Sequence, residues 1–333
     1  MKTILHTAYG PPDELRLGEV EKPVPKDNEV LIRIHASTVT TSDCNTCNLT
    51  FTPRLFFLPM RMQFGFLKPR NQILGLDLAG EVEAVGKKVT RFQEGDQVFG
   101  TTEPAFGAHA EYICLPEDAV LVTKPANMTF EQAATIPVMA NTASYFIRDM
   151  GKVQAGQKVL IIGASGGIGT FAVQLAKYYG AEVTGVCSTA NIELVRSLGA
   201  DKVIDYTRQD FSESGETYDL IFDAVGRSSF ARCKGSLVEN GAYLVTVPNP
   251  AVLLGMLWTS VAGTKKVRMG GAPASLDNMI ILKELIEAGN LETVIDRRYP
   301  LSQTADAFKY VEKGHKKGNV VIMVMESWTE KST

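Results

Sequence analysis

Residues Lys158-Val-Leu-Ile-Ile-Gly163-Ala-Ser-Gly166-Gly167-Ile-Gly169 decide the fold class of this chain. Val159 to Ile162 form an apolar run of strand length and the glycines follow at once. Ile168, Phe171, Ala172, Leu175 and Tyr179 then repeat at helical spacing. A strand, a glycine turn and a helix start together make the cradle of a dinucleotide pyrophosphate. A side chain would hold the backbone off the phosphates, and the first helical amides meet the anion with the helix dipole behind them. The G-x-G-x-x-G register is met only as Ala164-x-Gly166-x-x-Gly169, with Gly163 and Gly167 as extra glycines. A lone turn of this kind is often just a tight connection. Here the flanking strand and helix favour nucleotide binding, with Gly163, Gly166, Gly167 and Ile168 as contacts.

Outward from that turn, Gly180 closes the helix and Glu182 to Cys187 reads as the second strand. Further strands are expected at 202–204, 219–223, 242–247 and 266–270, with helices between them that include Glu193 to Leu198 and Phe230 to Val238. Strands alternating with helices predict a doubly wound parallel sheet. A helix is expected over 276–289. Residues 1 to about 122 read instead as β-rich, with strands at Val30–His35, Gly80–Gly86, Gln97–Gly100 and Ala110–Cys114. The tail, Tyr299-Pro-Leu and then Asn319-Val-Val-Ile-Met-Val-Met, returns to strand and is expected to rejoin the first domain. The segment Phe51 to Lys68, dense in Phe, Leu and Met, suits either a packed helix and loop or an apolar lid over substrate.

The chain has 333 residues, 45% hydrophobic and 21% charged, which is enough for two soluble domains. A formal net charge of −3 gives no nucleic-acid footprint. No apolar run approaches the roughly 20 residues of a membrane span, and the start lacks a signal-peptide pattern, so no membrane and a cytoplasmic location are expected. Five scattered cysteines fit a reducing compartment. Cys44-Asn-Thr-Cys47 is formally a C-x-x-C pair, but without a second pair it argues weakly for metal or redox work. The four histidines do not cluster in sequence; His109 is the best placed of a weak set.

A dinucleotide fold that prefers NAD places an acid at the end of its second strand, where it bonds the ribose and repels a 2′-phosphate. Here that place holds Cys187-Ser188-Thr189-Ala190-Asn191. Ser188, Thr189, Asn191 and, past the third strand, Tyr206 can donate to phosphate oxygens, so NADP(H) is expected rather than NAD(H). No Arg or Lys stands in this loop, and Ser-Thr-Ala-Asn can also be read as a plain helix cap.

Taken together, the residues resemble the medium-chain dehydrogenase/reductase superfamily, in its zinc-independent quinone oxidoreductase branch. The resemblance runs through Leu74-Gly-Leu-Asp77-Leu-Ala-Gly80, Gly95-Asp96-Gln-Val-Phe-Gly100, Ala108-His-Ala-Glu111-Tyr112 and Pro125 to Thr135. It continues through the glycine turn, Leu198 to Tyr206, Phe222-Asp-Ala-Val-Gly226 and Tyr310 to Val321. It implies an α/β fold: a Rossmann-type doubly wound parallel sheet over 124–287, plus a β-rich, GroES-like catalytic domain from 1–123 and 288–333. It also implies a homodimer formed through the nucleotide-binding domain.

By the same resemblance, Thr142 lies beside the nicotinamide, Val225 and Gly226 under its ribose and Pro248 by the carboxamide. Asn319 stands where many relatives carry Lys. Zinc-dependent members need a Cys where this chain has Thr40, and His-Glu where it has Leu76-Asp77; leucine cannot ligate a metal, so no zinc is expected. Without a metal the acceptor must take hydride readily, which points to quinones or enones. Thr40, Asp43 and Thr142 are then the candidate catalytic residues. Thr40 offers a hydroxyl where relatives often have Asn, and Asp43 reads as orienting its loop. Asn45 replaces a tyrosine common in the family. Three readings stay open: a quinone reductase, an alkenal or enone double-bond reductase, and a non-catalytic NADPH-binding protein.

Overall fold

The computed structural model describes residues 1–48, 57–58, 61–62, 65–247, 250–261 and 264–325. Contacts group the chain into two units. The first comprises Met1–Val138, Ala274–Glu287 and Ile295–Thr333; the second comprises Met139–Pro273 and Ala288–Val294. The helix Leu276–Glu287 groups with the first unit, where the sequence had put it with the nucleotide half. The reason lies in tertiary packing: Lys283 on this helix bonds Thr123 across 2.7 Å, and the Ile286 carbonyl accepts from Asn127 at 2.8 Å.

In the first unit, β1 (Lys2–Leu5) and β2 (Arg16–Glu19) form a two-stranded antiparallel sheet. The main strands are β3 (Glu29–Thr38), β4 (Asp77–Val85), β5 (Gln97–Thr101), β6 (Tyr112–Pro116) and β7 (Leu121–Thr123). They are joined late in the chain by β14 (Ile295–Pro300) and β15 (Asn319–Met323). The order is β14-β15-β3-β4-β5-β7. β6 pairs the first half of β3 and β15 its last three residues, so the tail rejoins the first unit as expected. The alternation in β3 explains its place at the centre: Val30, Ile32 and Ile34 are fully buried in one core with Leu78, Val98, Leu121, Phe308 and Ile322. Each such side chain contributes about 1.5–3 kcal/mol by burial.

In the second unit the strands are β8 (Lys158–Ile162), β9 (Glu182–Cys187), β10 (Lys202–Asp205), β11 (Tyr218–Asp223), β12 (Leu237–Val245) and β13 (Lys266–Met269). Every pairing is parallel, in the order β10-β9-β8-β11-β12-β13. This is the doubly wound Rossmann arrangement, and the strand order reverses between β8 and β11. Phe222 on β11 stacks on Phe146, with centroids 4.9 Å apart. The expected helix Phe230 to Val238 is shorter: it covers Phe230–Cys233, a 3-10 turn follows to Ser236, and β12 starts at Leu237. Asn240, at φ 65°, and a register shift in the β11–β12 pairing mark where a helical pattern gives way to strand.

Candidate active site

The glycine turn joins β8 to a helix over Gly167–Tyr178. Gly163, not Ala164, takes the left-handed turn, at φ 79°; its amide and that of Ala164 both donate to the Val186 carbonyl at 3.1 Å. The fingerprint's first glycine role therefore falls one residue before the register read from sequence. A Cβ on Gly169 would lie 2.0 Å from the Gly163 carbonyl oxygen, so only glycine lets the helix close on the turn. Gly166 is the N-cap and makes no side-chain cap; a Cβ there would meet only the Gly163 oxygen, at 3.4 Å. The amides of Gly167 and Ile168 follow it in the first turn, where a helix has no acceptors of its own. The cradle fits a pyrophosphate.

Beyond β9, Asn191 donates to Ser165 Oγ at 3.0 Å and to Ser188 Oγ at 3.4 Å, tying the second-strand loop to the glycine turn. The carboxylate missing from the end of β9 is found at the end of β10. Asp205 accepts from the Thr189 hydroxyl at 2.5 Å and from the Thr207 amide and hydroxyl at 3.0 and 2.7 Å. These hydrogen bonds, Thr189 foremost, hold its carboxyl below the usual range. Arg208 Nε lies 3.6 Å from Asp205 Oδ2, with its side chain largely exposed. Tyr206 is exposed, and its amide donates to the Cys187 carbonyl. Arg208 is thus a cation beside Asp205, which bonds Thr189 of the second-strand loop. Its only sequence signal was its place three residues after Asp205.

Past β11 the fully buried Asp223 organises the next loop. Oδ1 accepts from the amides of Val225, Gly226 and Arg227 at 3.2, 2.8 and 3.3 Å. Oδ2 accepts from the Ser228 amide at 2.8 Å and the Tyr243 hydroxyl at 3.1 Å. Gly226 sits at φ 67°. Sequence reasoning saw Asp223 only as one letter of a motif. Thr142 is half-buried in the short α-helix Asn141–Ser144, followed by a π-helical stretch over Tyr145–Met150. Pro248 lies outside the described residues.

In the first unit, Thr40 caps the helix Thr41–Asn48. The Asp43 amide donates to Thr40 Oγ1 at 3.2 Å, and the Thr40 amide donates to Asp43 Oδ2 at 2.8 Å, a capping box closed by an aspartate. The Thr40 hydroxyl donates to the same Oδ2 at 2.6 Å, so its one proton is turned inward. The hydroxyl-bearing residues that this turn exposes are Thr41 and Ser42, which the sequence reading passed over. Asp43 is fully buried, and burial pushes its carboxyl up against the opposing pull of His109 and Thr40. Asp77, pushed well up by burial, accepts the Thr38 hydroxyl at 2.6 Å. Leu76 is buried and offers only its carbonyl, to Thr101 and Thr102. Among the described residues no group of three or more His, Cys, Asp or Glu is arranged to hold a metal ion.

Asn319 is buried at the start of β15 in this unit. Cys44 and Cys47 are buried free thiols, both pushed up by burial, Cys47 to about 12. Such thiols are inert toward redox chemistry at neutral pH. A cavity of about 240 Å³, lined among others by His6, Tyr9, Arg70 and Phe106, includes neither Thr40 nor Asp43. The segment 51–68, read as either a packed helix and loop or an apolar lid, falls mostly outside the described residues; of its described part, Leu58, Met62, Phe66 and Leu67 are exposed.

Two family models match the chain: an alcohol dehydrogenase GroES-like domain over residues 26–126 and a zinc-binding dehydrogenase model over 198–322. The chain is 36% identical to the mitochondrial NAD(P)H oxidoreductase RTN4IP1 of Mus musculus, over 90% of this chain and 82% of that protein. It is 33% identical to the chloroplastic NADPH-dependent alkenal/one oxidoreductase of Arabidopsis thaliana, over 97% and 79%. Its fold is similar to the solved quinone oxidoreductase of Coxiella burnetii, with a TM-score of 0.86 and 27% identity over 98% of this chain and 99% of that one.

Proposed function

The chain belongs to the medium-chain dehydrogenase/reductase superfamily, in its quinone oxidoreductase-like branch, and we propose that it is the NADPH-dependent, zinc-independent reductase of a quinone or activated carbonyl compound. It is an oxidoreductase of the NAD(P)H-using kind. One observation carries the finer reading: where a catalytic zinc would need three donors, Thr40 is committed to Asp43, Leu76 has no donor side chain and Asp77 is bound to Thr38. An acceptor that spreads the arriving charge onto oxygen needs no Lewis acid.

Reduced nicotinamide, when bound, supplies the hydride. The chain's own residues bind and orient. The amides of Gly167 and Ile168 hold the pyrophosphate. The loop gathered by Asp223 would hold the nicotinamide ribose through Val225 and Gly226, and Thr142 would contact the ring. Ser188, Thr189, Asn191, Tyr206 and Arg208 serve the adenosine 2′-phosphate. Arg208 strengthens the NADPH reading, since it supplies the positive charge that such a site uses. Thr40 and Asp43 shape a turn of the first unit.

Reduction of an alkenal or enone double bond is the second reading, favoured by the 33% identity to the alkenal/one oxidoreductase. The deciding experiment follows oxidation of NADPH, with NADH in parallel, against a panel of quinones and enones. Turnover with NADPH and quinones supports the first reading and turnover confined to enones the second. Tight binding without turnover of any acceptor would overturn both.

We also keep a homodimer formed through the second unit. β13 is the edge of its sheet, and the helix Pro250–Val261 beside it carries no charge while exposing Leu254, Leu257 and Trp258 at helical spacing. An edge strand next to an uncovered apolar ridge suits a second copy. Among the described residues no helix is long and apolar enough to cross a membrane. A cytoplasmic location remains our reading, from the free cysteines.

A further inference from the structure

Asp43 and His109 are both fully buried; His109 Nδ1 makes no hydrogen bond, and the Gly75 backbone amide acts on the Asp43 carboxyl. Burial disfavours the charged form of both, while the charge of each favours ionisation of the other. Of the described groups that act on Asp43 by charge, only His109 is a potential cation. The others nearby are Asp77, Glu103 and the thiols of Cys44 and Cys47, each of which is disfavoured by the Asp43 charge.

The remaining atoms of the two side chains grip one turn from both ends. His109 Nε2 donates to the Thr38 carbonyl at 2.9 Å, which fixes the tautomer with the proton on Nε2. Asp43 Oδ2 holds the amide and hydroxyl of Thr40, two residues further on. His109 is itself immobilised. Its amide donates to the Leu74 carbonyl at 2.9 Å, its ring meets Phe308 edge-on at 5.7 Å, and a Cβ on Gly75 would strike its Cδ2 at 2.7 Å.

We infer that His109 is a positioning residue, which sets the Thr40–Ser42 turn through the Thr38 carbonyl, opposite the Asp43 carboxyl that holds Thr40. The inference rests on the reductase reading above for its kinetic consequence, but not for its physical basis.

Two substitutions separate its two functions. His109→Gln keeps an N–H for Thr38 and carries no charge; His109→Leu keeps neither. The leucine variant should lower kcat about tenfold or more and leave the KM for NADPH unchanged, because a misplaced turn costs rate rather than cofactor affinity. The glutamine variant should recover most of kcat but shift the pH dependence of kcat. A merely structural histidine would lower the melting temperature in both variants and leave the pH profile alone. ¹⁵N NMR of the His109 ring is the independent readout: the Nε2-protonated tautomer is expected, with resonances that move in Asp43→Asn. Unmoved resonances in Asp43→Asn, a wild-type pH profile in His109→Gln, or a wild-type kcat in His109→Leu would each overturn the inference. If the wild-type protein turns over no acceptor, the reductase reading fails and the NMR result alone decides the pairing of His109 with Asp43.

Discussion

Thr40 gives its hydroxyl proton to Asp43 Oδ2 across 2.6 Å, while its oxygen receives the Asp43 amide at 3.2 Å. The hydroxyl that the sequence offers as a donor to the reacting oxygen is spent inside the turn. Thr40 then acts by shaping the turn, and Thr40→Ala removes a helix cap worth about 0.5–2 kcal/mol. The expected outcome is a lower midpoint in urea and a lower turnover, with NADPH affinity nearly unchanged. Thr40→Ser should restore both. An alanine variant with wild-type turnover would remove Thr40 from the mechanism.

Arg208 stands beside Asp205, which bonds Thr189 of the second-strand loop. Arg208→Ala should raise the KM for NADPH by about tenfold, since a charge-assisted hydrogen bond to phosphate contributes about 1.5–3 kcal/mol and solvent exposure discounts it. The KM for NADH should hardly change. Equal losses with the two cofactors would place the 2′-phosphate elsewhere.

Gly169 has no room for a side chain, because the Gly163 carbonyl is backbone and cannot swing away. Gly169→Ala should weaken NADPH binding by at least tenfold, as titrated by cofactor fluorescence, through displacement of the helix start. Gly215→Ala is the control for a residue that takes up φ 74° with nothing within 4 Å of its Cβ. It should cost about 1 kcal/mol in stability and leave binding intact.

Burial lowers the proton affinity of His6, His35 and His109 in the folded chain. The unfolded chain binds more protons at these three sites below about pH 6.5, so their contribution to stability is present above that pH and lost as pH falls. Asp43 and Asp77 act in the opposite sense, since their raised affinities stabilise the fold as pH falls toward the unfolded carboxylate range. The histidine contribution is isolated by comparing melting temperatures at pH 7.5 and 5.5 in the wild type and in His35→Gln. The variant should show the smaller fall. An equal fall would mean that His35 stays neutral in neither state or in both.

Trp258, Leu254 and Leu257 lie exposed on one helix of the second unit. Trp258→Lys should convert a dimer to a monomer by light scattering, or weaken association at least tenfold, because a buried Trp is a frequent interface anchor. A wild type that is monomeric at micromolar concentration would end the dimer reading.

Much of the fold was legible because its signals are local. The apolar run Val159 to Ile162, the glycines after it and the helical spacing from Ile168 to Tyr179 lie within about two dozen consecutive positions. The end of the helix over Phe230 to Val238 was not legible, since Leu237 and Val238 suit a helix face as well as a strand, and pairing with β11 decided it. The grouping of helix Leu276–Glu287 was likewise invisible, as its partners lie near Thr123, 160 positions away.

The sequence by itself determined the strand-turn-helix that cradles a nucleotide, the parallel sheet around it, and the absence of a ligating side chain at Leu76, because those depend on residue type and spacing. Tertiary structure alone decided which polar atoms are spent and which remain. It turned the Thr40 proton inward and brought Arg208 and Asp205 to the loop after β9. It set His109 against a carbonyl 71 positions earlier in the chain. Burial makes an unpaired polar atom costly, so each side chain's role is set by the partners that folding brings to it, and those partners are distant in the chain.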